Sequence, residues 1–341
     1  MSEDKVDFNA LVDLAMANPV LSVMRPVVEK ELLHNEIFQA LDSEGLLKDL
    51  VFQGGTSLRL CRGSDRFSED LDFAGGVDFS ADSMERIKHC VETRIGERFG
   101  LKVTVNNKPA KVGEDGVKHV RVDKWWISIE TAPENLAMPR QKIKLEIANI
   151  PAYTRELTPL RVNYDFLGGM PTVLANAQSL DEITADKMLA FPTSLLDNAG
   201  KPVGPDSAKI RHRDIWDLAW MATRGAKLVP GLVAVKIGDY GVVNYPSLLG
   251  LAIKQLPEIV KSREFKAQMS RFIDSATLAK TVANDGYNDY LTMSVGGLFT
   301  QMRTALANTS IEVLAAPYAT KEPEPKAKLA PKRKQVSSLE R

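Results

Sequence analysis

The chain has 341 residues, 44% of them hydrophobic and 26% charged. Its 44 Lys and Arg balance 44 Asp and Glu, for a formal net charge of zero. That composition belongs to a globular protein with length for two ordinary domains and a core that needs no disulfide or structural metal. Zero net charge argues against a surface coated in basic residues, and it leaves room for a local basic groove. Cys61 and Cys90 have no further Cys or His at metal-ligand spacing, so both read as buried or half-buried free thiols in a reducing, cytoplasmic setting. The N-terminus MSEDKVDFNALVDLAM lacks the basic and apolar regions of a secretory signal. No run approaches the ~18 apolar residues of a membrane span, so no membrane association is expected.

Residues 8–48 read as helices, because Val27, Val28, Leu32, Leu33, Ile37, Phe38 and Leu41 recur at helical spacing. DLVFQ at 49–53 reads as a buried strand. Gly54-Gly55 then signals a turn, with Thr56 as the expected N-cap of a short helix that stops at Gly63. Asp70 to Ala74 alternates acidic and apolar residues, as a strand does. Residues 81–99 are again helical, and β-rich runs follow at 101–105, 125–130 and 142–148. These suit an antiparallel meander; with 49–53 and 70–74 they predict a mixed sheet of about five strands.

From about residue 178 the pattern turns helical. Ser179 and Glu182 have capping-box spacing ahead of an apolar stripe. A loop rich in Gly, Pro, Asn and Asp spans 194–208, and helices follow over 209–224 and 245–316. The fold class is therefore α+β, a mixed sheet flanked by helices and followed by a helical domain. The expected boundaries are 1–175 for the sheet domain with its N-terminal helices, 176–316 for the helical domain, and 317–341 for a tail. The tail is rich in Pro, Lys and Arg and reads as disordered. It is either a solvated extension or a basic arm for RNA phosphates or a protein partner.

The chemistry is concentrated in GGTSLRLCRGSDRFSEDLDF, residues 54–73. Asp70 and Asp72 are two apart in a strand-like stretch, so they share a face with Cα atoms roughly 7 Å apart. Two carboxylates so placed can converge on Mg²⁺ or Mn²⁺, hard cations that take oxygen ligands. Leu71 and Phe73 point the other way, into the core. Packing explains the hydrophobes but not two adjacent like charges. Gly54-Gly55 lets a ligand approach the backbone, and the helix after it offers N–H groups and a positive dipole end to a triphosphate. Thr56 and Ser57 hydroxyls could add hydrogen bonds. A strand, Gly-Gly-Thr-Ser, a short helix and Ser-x-Asp-x-Asp in this order point to metal-assisted phosphoryl transfer from an NTP.

A third carboxylate is sought on a neighbouring strand. In KIKLEIA, Lys142, Lys144, Glu146 and Ala148 share one face, and Ile143, Leu145 and Ile147 the other. Glu146 is then a third metal ligand or a general base, or else a glutamate paired with Lys142 or Lys144 on a solvated face. Lys187, on an apolar helix, is a point charge suited to a polyphosphate or a solvated lysine. Asp214 and Asp217 share a helix face and read as solvent-facing or paired with Arg211 or Arg213. His34 and His212 read as structural. Trp125, Trp126, Trp216 and Trp220 read as core, an exposed one being a possible base-stacking surface.

LVFQGGTSLRL and RFSEDLDF resemble the nucleotidyltransferase toxins of the AbiEii/AbiGii family, which includes MenT-like toxins, within the DNA polymerase β-like superfamily. VVEKELLHNEIFQAL at 27–41 is similar to the family's N-terminal helix. EITADKMLAF at 182–191 and RDIWDL at 213–218 are similar to its second motif pair. The resemblance covers roughly residues 25–225. It implies a polymerase β-like sheet, with Asp70 and Asp72 as metal-binding carboxylates. Gly54, Gly55, Thr56 and Ser68 would lie in the nucleotide-binding motif, Lys187 on the triphosphate and Asp214 at a later acidic position. Arg66, Arg213 and Asp217 fall in the same motifs. Asp186 stands where many relatives carry Glu, and the long 194–208 loop is a further departure.

The resemblance also implies a toxin that transfers NMP from an NTP to RNA, with the tRNA 3′ end as the leading acceptor. It implies a cognate antitoxin and a role in abortive infection and phage defence. Two alternatives stay open from the residues: an antibiotic-modifying enzyme with a small hydroxylated acceptor, and a nucleotide-binding module with little turnover.

Overall fold

A computed structural model of the chain describes residues 5–79, 84–108, 120–134 and 139–319. The expected disorder of the tail falls on residues outside these, apart from 317–319.

Seven strands form one sheet: β1 (Val51–Gln53), β2 (Leu71–Ala74), β3 (Val103–Lys108), β4 (Val122–Ile129), β5 (Gln141–Ala148), β6 (Glu156–Pro159) and β7 (Leu174–Ala177). Their spatial order is β3-β4-β5-β2-β1-β7-β6. The meander β3-β4-β5 is antiparallel as expected. The sheet becomes mixed because β2 joins β5 in parallel and β1 joins β7 in parallel. The sequence reading of five strands misses β6 and β7. Both have four residues, and ELTP and LANA lack the β-branched, alternating signature of a strand.

On one face lie α1 (Phe8–Met16), α2 (Arg25–Ser43) and α4 (Met84–Phe99). Phe38 of α2 anchors the centre of the sheet, with its ring 4.8 Å from Phe52 of β1, which stacks at 5.1 Å on Phe73 of β2. α2 also carries buried charge that an apolar stripe does not announce. Glu31 receives Arg59 Nε at 2.7 Å, and His34 Nε2 meets the Glu69 carbonyl at 3.0 Å. Lys30 reaches the Glu69 carboxylate at 2.5 Å. Two of these contacts tie α2 to the segment entering β2, and the Glu31–Arg59 pair ties it to the helix before that segment.

The helix after β1, α3 (Gly54–Arg62), starts three residues earlier than expected. Its N-cap is Gln53 rather than Thr56, and the two glycines form its first turn. It ends as predicted at Gly63, in the left-handed conformation with φ of 75°. α3 joins two hydrophobic cores. Leu60 and Cys61 pack in the core under the sheet, while Leu58 packs with Ile183, Met188 and Trp216 in the helical half. Both cysteines are buried free thiols.

The helical half comprises α5 (Leu180–Thr193), α6 (His212–Thr223), α7 (Pro230–Asp239), α8 (Tyr245–Lys261), α9 (Arg263–Ser270), α10 (Ser275–Lys280), α11 (Asp285–Asn308) and α12 (Ile311–Ala319). α12 carries Pro317 inside it, so the helix runs three residues into the expected tail. The capping box of α5 is half formed. Ser179 accepts from the Glu182 N–H, but Glu182 does not reach back. Its carboxylate is buried instead among the N–H groups of Tyr153 and Thr154 (3.0 and 2.7 Å) and Lys236 Nζ (3.0 Å). Trp125, Trp216 and Trp220 are core, whereas Trp126 lies on the outer face of β4. No helix among the described residues is long and apolar enough to cross a membrane.

Candidate active site

The alternation of β2 decides the geometry of the acids. Leu71 and Phe73 are buried in the core, so Asp72 faces outward. Parallel pairing sets Asp72 opposite Glu146 of β5, while β1 sets Gln53 on its other side. Glu146 therefore shares a face with the acidic pair, as one sequence reading requires, and it also carries ion pairs. Lys144 Nζ stands 2.9 Å from Glu146 Oε2 and 3.2 Å from Asp70 Oδ2. Lys124, opposite in β4 and not weighed from the sequence, lies 2.6 Å from Glu146 Oε1.

Asp72 is different. Among the described residues its carboxylate has no hydrogen-bond or ion-pair partner. Burial, then the Glu146 and Asp70 carboxylates, push its pKa up to about 7 against the pull of Lys144 and Arg211. Burial also acts to raise Glu146, but hydrogen bonds from Lys124 and Lys144 outweigh it and hold that carboxyl below its ordinary range.

The first turn of α3 abuts this cluster. Gly54 has φ of +76°, and a Cβ there would sit 2.7 Å from Asp72 Oδ2. A Cβ on Gly55 would collide with Arg66 Nη2 and come within 3.1 Å of Ser68 Oγ. Only glycine admits both the backbone turn and these approaches. No side chain caps the start of α3, so its N–H groups and dipole end face the cleft. The Thr56 hydroxyl donates to the Asp70 carbonyl, and Ser57 Oγ donates to the Gly54 carbonyl at 2.8 Å. Both hydroxyl protons thus brace the motif, where the sequence reading aimed them at a ligand.

Across the cleft, Lys187 of α5 and Asp214 and Asp217 of α6 form a buried charge network, joined by the buried Arg66 and by Arg211 at the exposed rim. Lys187 Nζ lies 2.7 Å from Asp214 Oδ1 and 2.8 Å from Asp217 Oδ2. Arg211 Nε meets Asp214 Oδ2 at 2.9 Å. Arg66 grips Asp217 through Nε and Nη2 at 2.9 and 2.7 Å, and its Nη1 donates to the Phe67 carbonyl at 2.7 Å. Burial acts to raise Asp214 and Asp217, and the cations around them outweigh it, holding Asp214 below the usual range and Asp217 well below it. The reading of these two aspartates as solvent-facing is thereby corrected: both are buried. Pairing with Arg211 is found for Asp214, joined by Lys187. Arg213 turns away, over the Phe272 ring at 4.5 Å and 3.8 Å from Glu69. His212 is structural, its Nε2 3.2 Å from the Ser207 carbonyl. The 194–208 loop folds back through a Leu196–Pro202 bridge and leaves Asp214 in the cleft.

Two chambers meet at the acids. One, of about 450 Å³, lies between the sheet and α5, with Phe73, Val122, Ile183, Leu189 and Tyr240 among its walls. The other, of about 270 Å³, is lined by Gly55, Arg66, Ser68, Asp70, Lys144 and residues 208–213. Asp72, Glu146, Lys187, Arg211 and Asp214 line both. Sequence reasoning passed over Tyr240, Gln53 and the cleft-facing role of Arg211. The last had a local signal, a cation three residues before Asp214 at a helix start.

The model for the nucleotidyl transferase AbiEii toxin of type IV toxin–antitoxin systems matches residues 37–290. The chain belongs to this family. Membership makes it a nucleotidyltransferase, and the matched span takes in every site residue expected from the sequence. No curated protein sequence matches the chain. Among solved structures, MenT4, a nucleotidyltransferase toxin from Mycobacterium tuberculosis H37Rv, is similar with a TM-score of 0.53 and 16% identity, covering 92% of this AbiEii chain and 99% of MenT4. JHP933 from Helicobacter pylori is similar at a TM-score of 0.44 and 16% identity, covering 85% and 97%. The MenT4 likeness is one of fold, and it bears out the α+β nucleotidyltransferase architecture with its helical C-terminal region.

Whether the AbiEii acids suit a divalent cation is a question of their chemistry. Among the described residues no group of three His, Cys, Asp or Glu side chains has the arrangement of a finished metal site. The donor set still fits a hard cation. Three carboxylates crowd one cleft, one of them unpartnered and resisting ionisation, and an ammonium bridges the other two.

Proposed function

We propose that this protein transfers the NMP moiety of an NTP to a hydroxyl of an RNA acceptor, with the tRNA 3′ end as the leading candidate, using Mg²⁺ or Mn²⁺. The observation that carries the reading is the parallel register of Asp72 with Glu146 beside the uncapped start of α3, opposite Lys187 and Arg211. In this reading Asp70, Asp72 and Glu146 hold the cation. When bound, it supplies positive charge that favours the acceptor alkoxide and offsets the triphosphate.

The polar chamber takes the triphosphate. Gly54 and Gly55 keep the α3 N–H groups open to it, and Ser68, Lys187 and Arg211 bind its oxygens. Asp214 and Asp217 hold those cations in place, and Arg66 in turn grips Asp217. The larger chamber, with its apolar walls, takes the base or the acceptor's terminal nucleotide. The acceptor oxygen bonds to the α-phosphorus, the bond to the bridging β-oxygen breaks, and pyrophosphate leaves. The hydroxyl proton passes to a carboxylate oxygen of the acidic cluster that the cation does not occupy. A type IV toxin–antitoxin family further supports a separately encoded antitoxin, a cytoplasmic setting and a role in phage defence.

The test is incubation with Mg²⁺, each α-labelled NTP in turn and total tRNA, beside Asp72→Ala. The expected outcome is label in the tRNA that is absent with the variant. Label on no RNA from any NTP would overturn the acceptor assignment.

A further inference from the structure

We propose that Lys144 is a built-in counter-ion for the acidic cluster, one that a divalent cation must displace, and that it sets how tightly this site takes metal before nucleotide arrives. The inference rests on the reading that Asp70, Asp72 and Glu146 hold the cation.

Lys144 sits two residues before Glu146 on the same face of β5, so strand periodicity delivers its ammonium to the cluster. It bridges Asp70 Oδ2 at 3.2 Å and Glu146 Oε2 at 2.9 Å, two oxygens of the proposed ligand set. An ammonium there does part of what a metal ion does: it lets like charges stand close together. It does so incompletely, because Asp72 is left without a partner among the described residues. Lys144 reaches two of the three carboxylates with one positive charge, where a divalent ion brings two charges and six or more ligand positions.

Occupancy by Lys144 and by metal are therefore exclusive at Asp70 and Glu146. The released ammonium has a destination, since Lys144 lines the polar chamber proposed for the triphosphate. Lys124 is a natural contrast. It touches Glu146 alone, from the neighbouring strand, and contacts neither Asp70 nor the polar chamber.

The experiment measures Mn²⁺ binding to the full chain, without nucleotide, from the loss of the free-ion electron paramagnetic resonance signal. Wild type is compared with Lys144→Met, Lys144→Gln and Asp72→Asn, and melting temperatures are read in EDTA and in Mn²⁺. Both Lys144 variants should bind Mn²⁺ more tightly, by about tenfold, since a competing charge close to the ion has gone. Both should melt lower than wild type in EDTA and recover more on adding Mn²⁺. Unchanged or weaker Mn²⁺ affinity in the Lys144 variants, with wild-type binding that Asp72→Asn removes, would overturn this proposal and leave the metal reading standing. No Mn²⁺ binding by wild type would overturn both.

Discussion

Arg66 and Asp217, 151 residues apart in sequence, form a two-pronged ion pair that is buried on both sides. One partner lies in the segment between α3 and the acidic strand, the other on α6. The pair thus fastens the sheet's motif to the helical half and fixes the width of the cleft between Asp72 and Lys187.

Replacing one partner leaves the other charge buried alone. Asp217→Asn strips a full charge from both Arg66 and Lys187, and should cost about 3–5 kcal/mol. Urea unfolding gives this directly. A loss below about 1 kcal/mol would mean that the pair is not the fastening described.

Asp72 should behave in the opposite way. It is unpartnered and crowded by Glu146 and Asp70, so its charge opposes folding above the ordinary aspartate range. In EDTA at pH 8, Asp72→Asn should be more stable than wild type by about 1–2 kcal/mol, while nucleotidyl transfer is lost. Lower stability together with retained transfer would make Asp72 a structural residue.

Gly54→Ala places a Cβ 2.7 Å from Asp72 Oδ2 on a backbone with φ of +76°. The strained conformation should cost about 1–3 kcal/mol. The displaced carboxylate should also lower transfer activity more than stability alone explains. Wild-type turnover at a temperature where the variant is fully folded would refute the close approach as a functional constraint.

The acid side of the stability curve should carry a His34 component. Burial holds its pKa at about 4, against the 6.5 of a free imidazole. Between those values the unfolded chain takes a proton that the folded protein refuses, so stability falls as pH drops from 6.5 to about 4. The full difference is about 3 kcal/mol. It should vanish from the pH dependence of His34→Gln, so the two curves should converge toward low pH. Parallel curves would sink the assignment.

Local patterning carried far here. Period-two alternation placed Leu71 and Phe73 inward and Asp72 outward, and it put Lys144 and Glu146 on one face of β5, as found. The glycine pair, the stop at Gly63 and the helical stripes of α2, α5 and α6 were also legible. Such signals arise within a few residues, where backbone sterics and side-chain periodicity act without help from distant chain. The strands of four residues left no comparable signal, and Trp126 differs from Trp125 only by which face of β4 it takes.

The near pairs Lys144–Glu146 and Arg211–Asp214 were among the local readings, and partnership between distant segments was beyond them. That Glu146 faces Asp72 follows from β2 joining β5 in parallel, and that Lys124 reaches Glu146 follows from the register of β4. Whether Asp214 and Asp217 meet water or Lys187 and Arg66 depends on how α5 and α6 pack over the sheet. A charge is stabilised or penalised by what surrounds it within a few ångströms. Residue types and local periods announced an acidic strand beside a phosphate-binding turn, and folding alone assigned each charge its neighbours from distant parts of the chain.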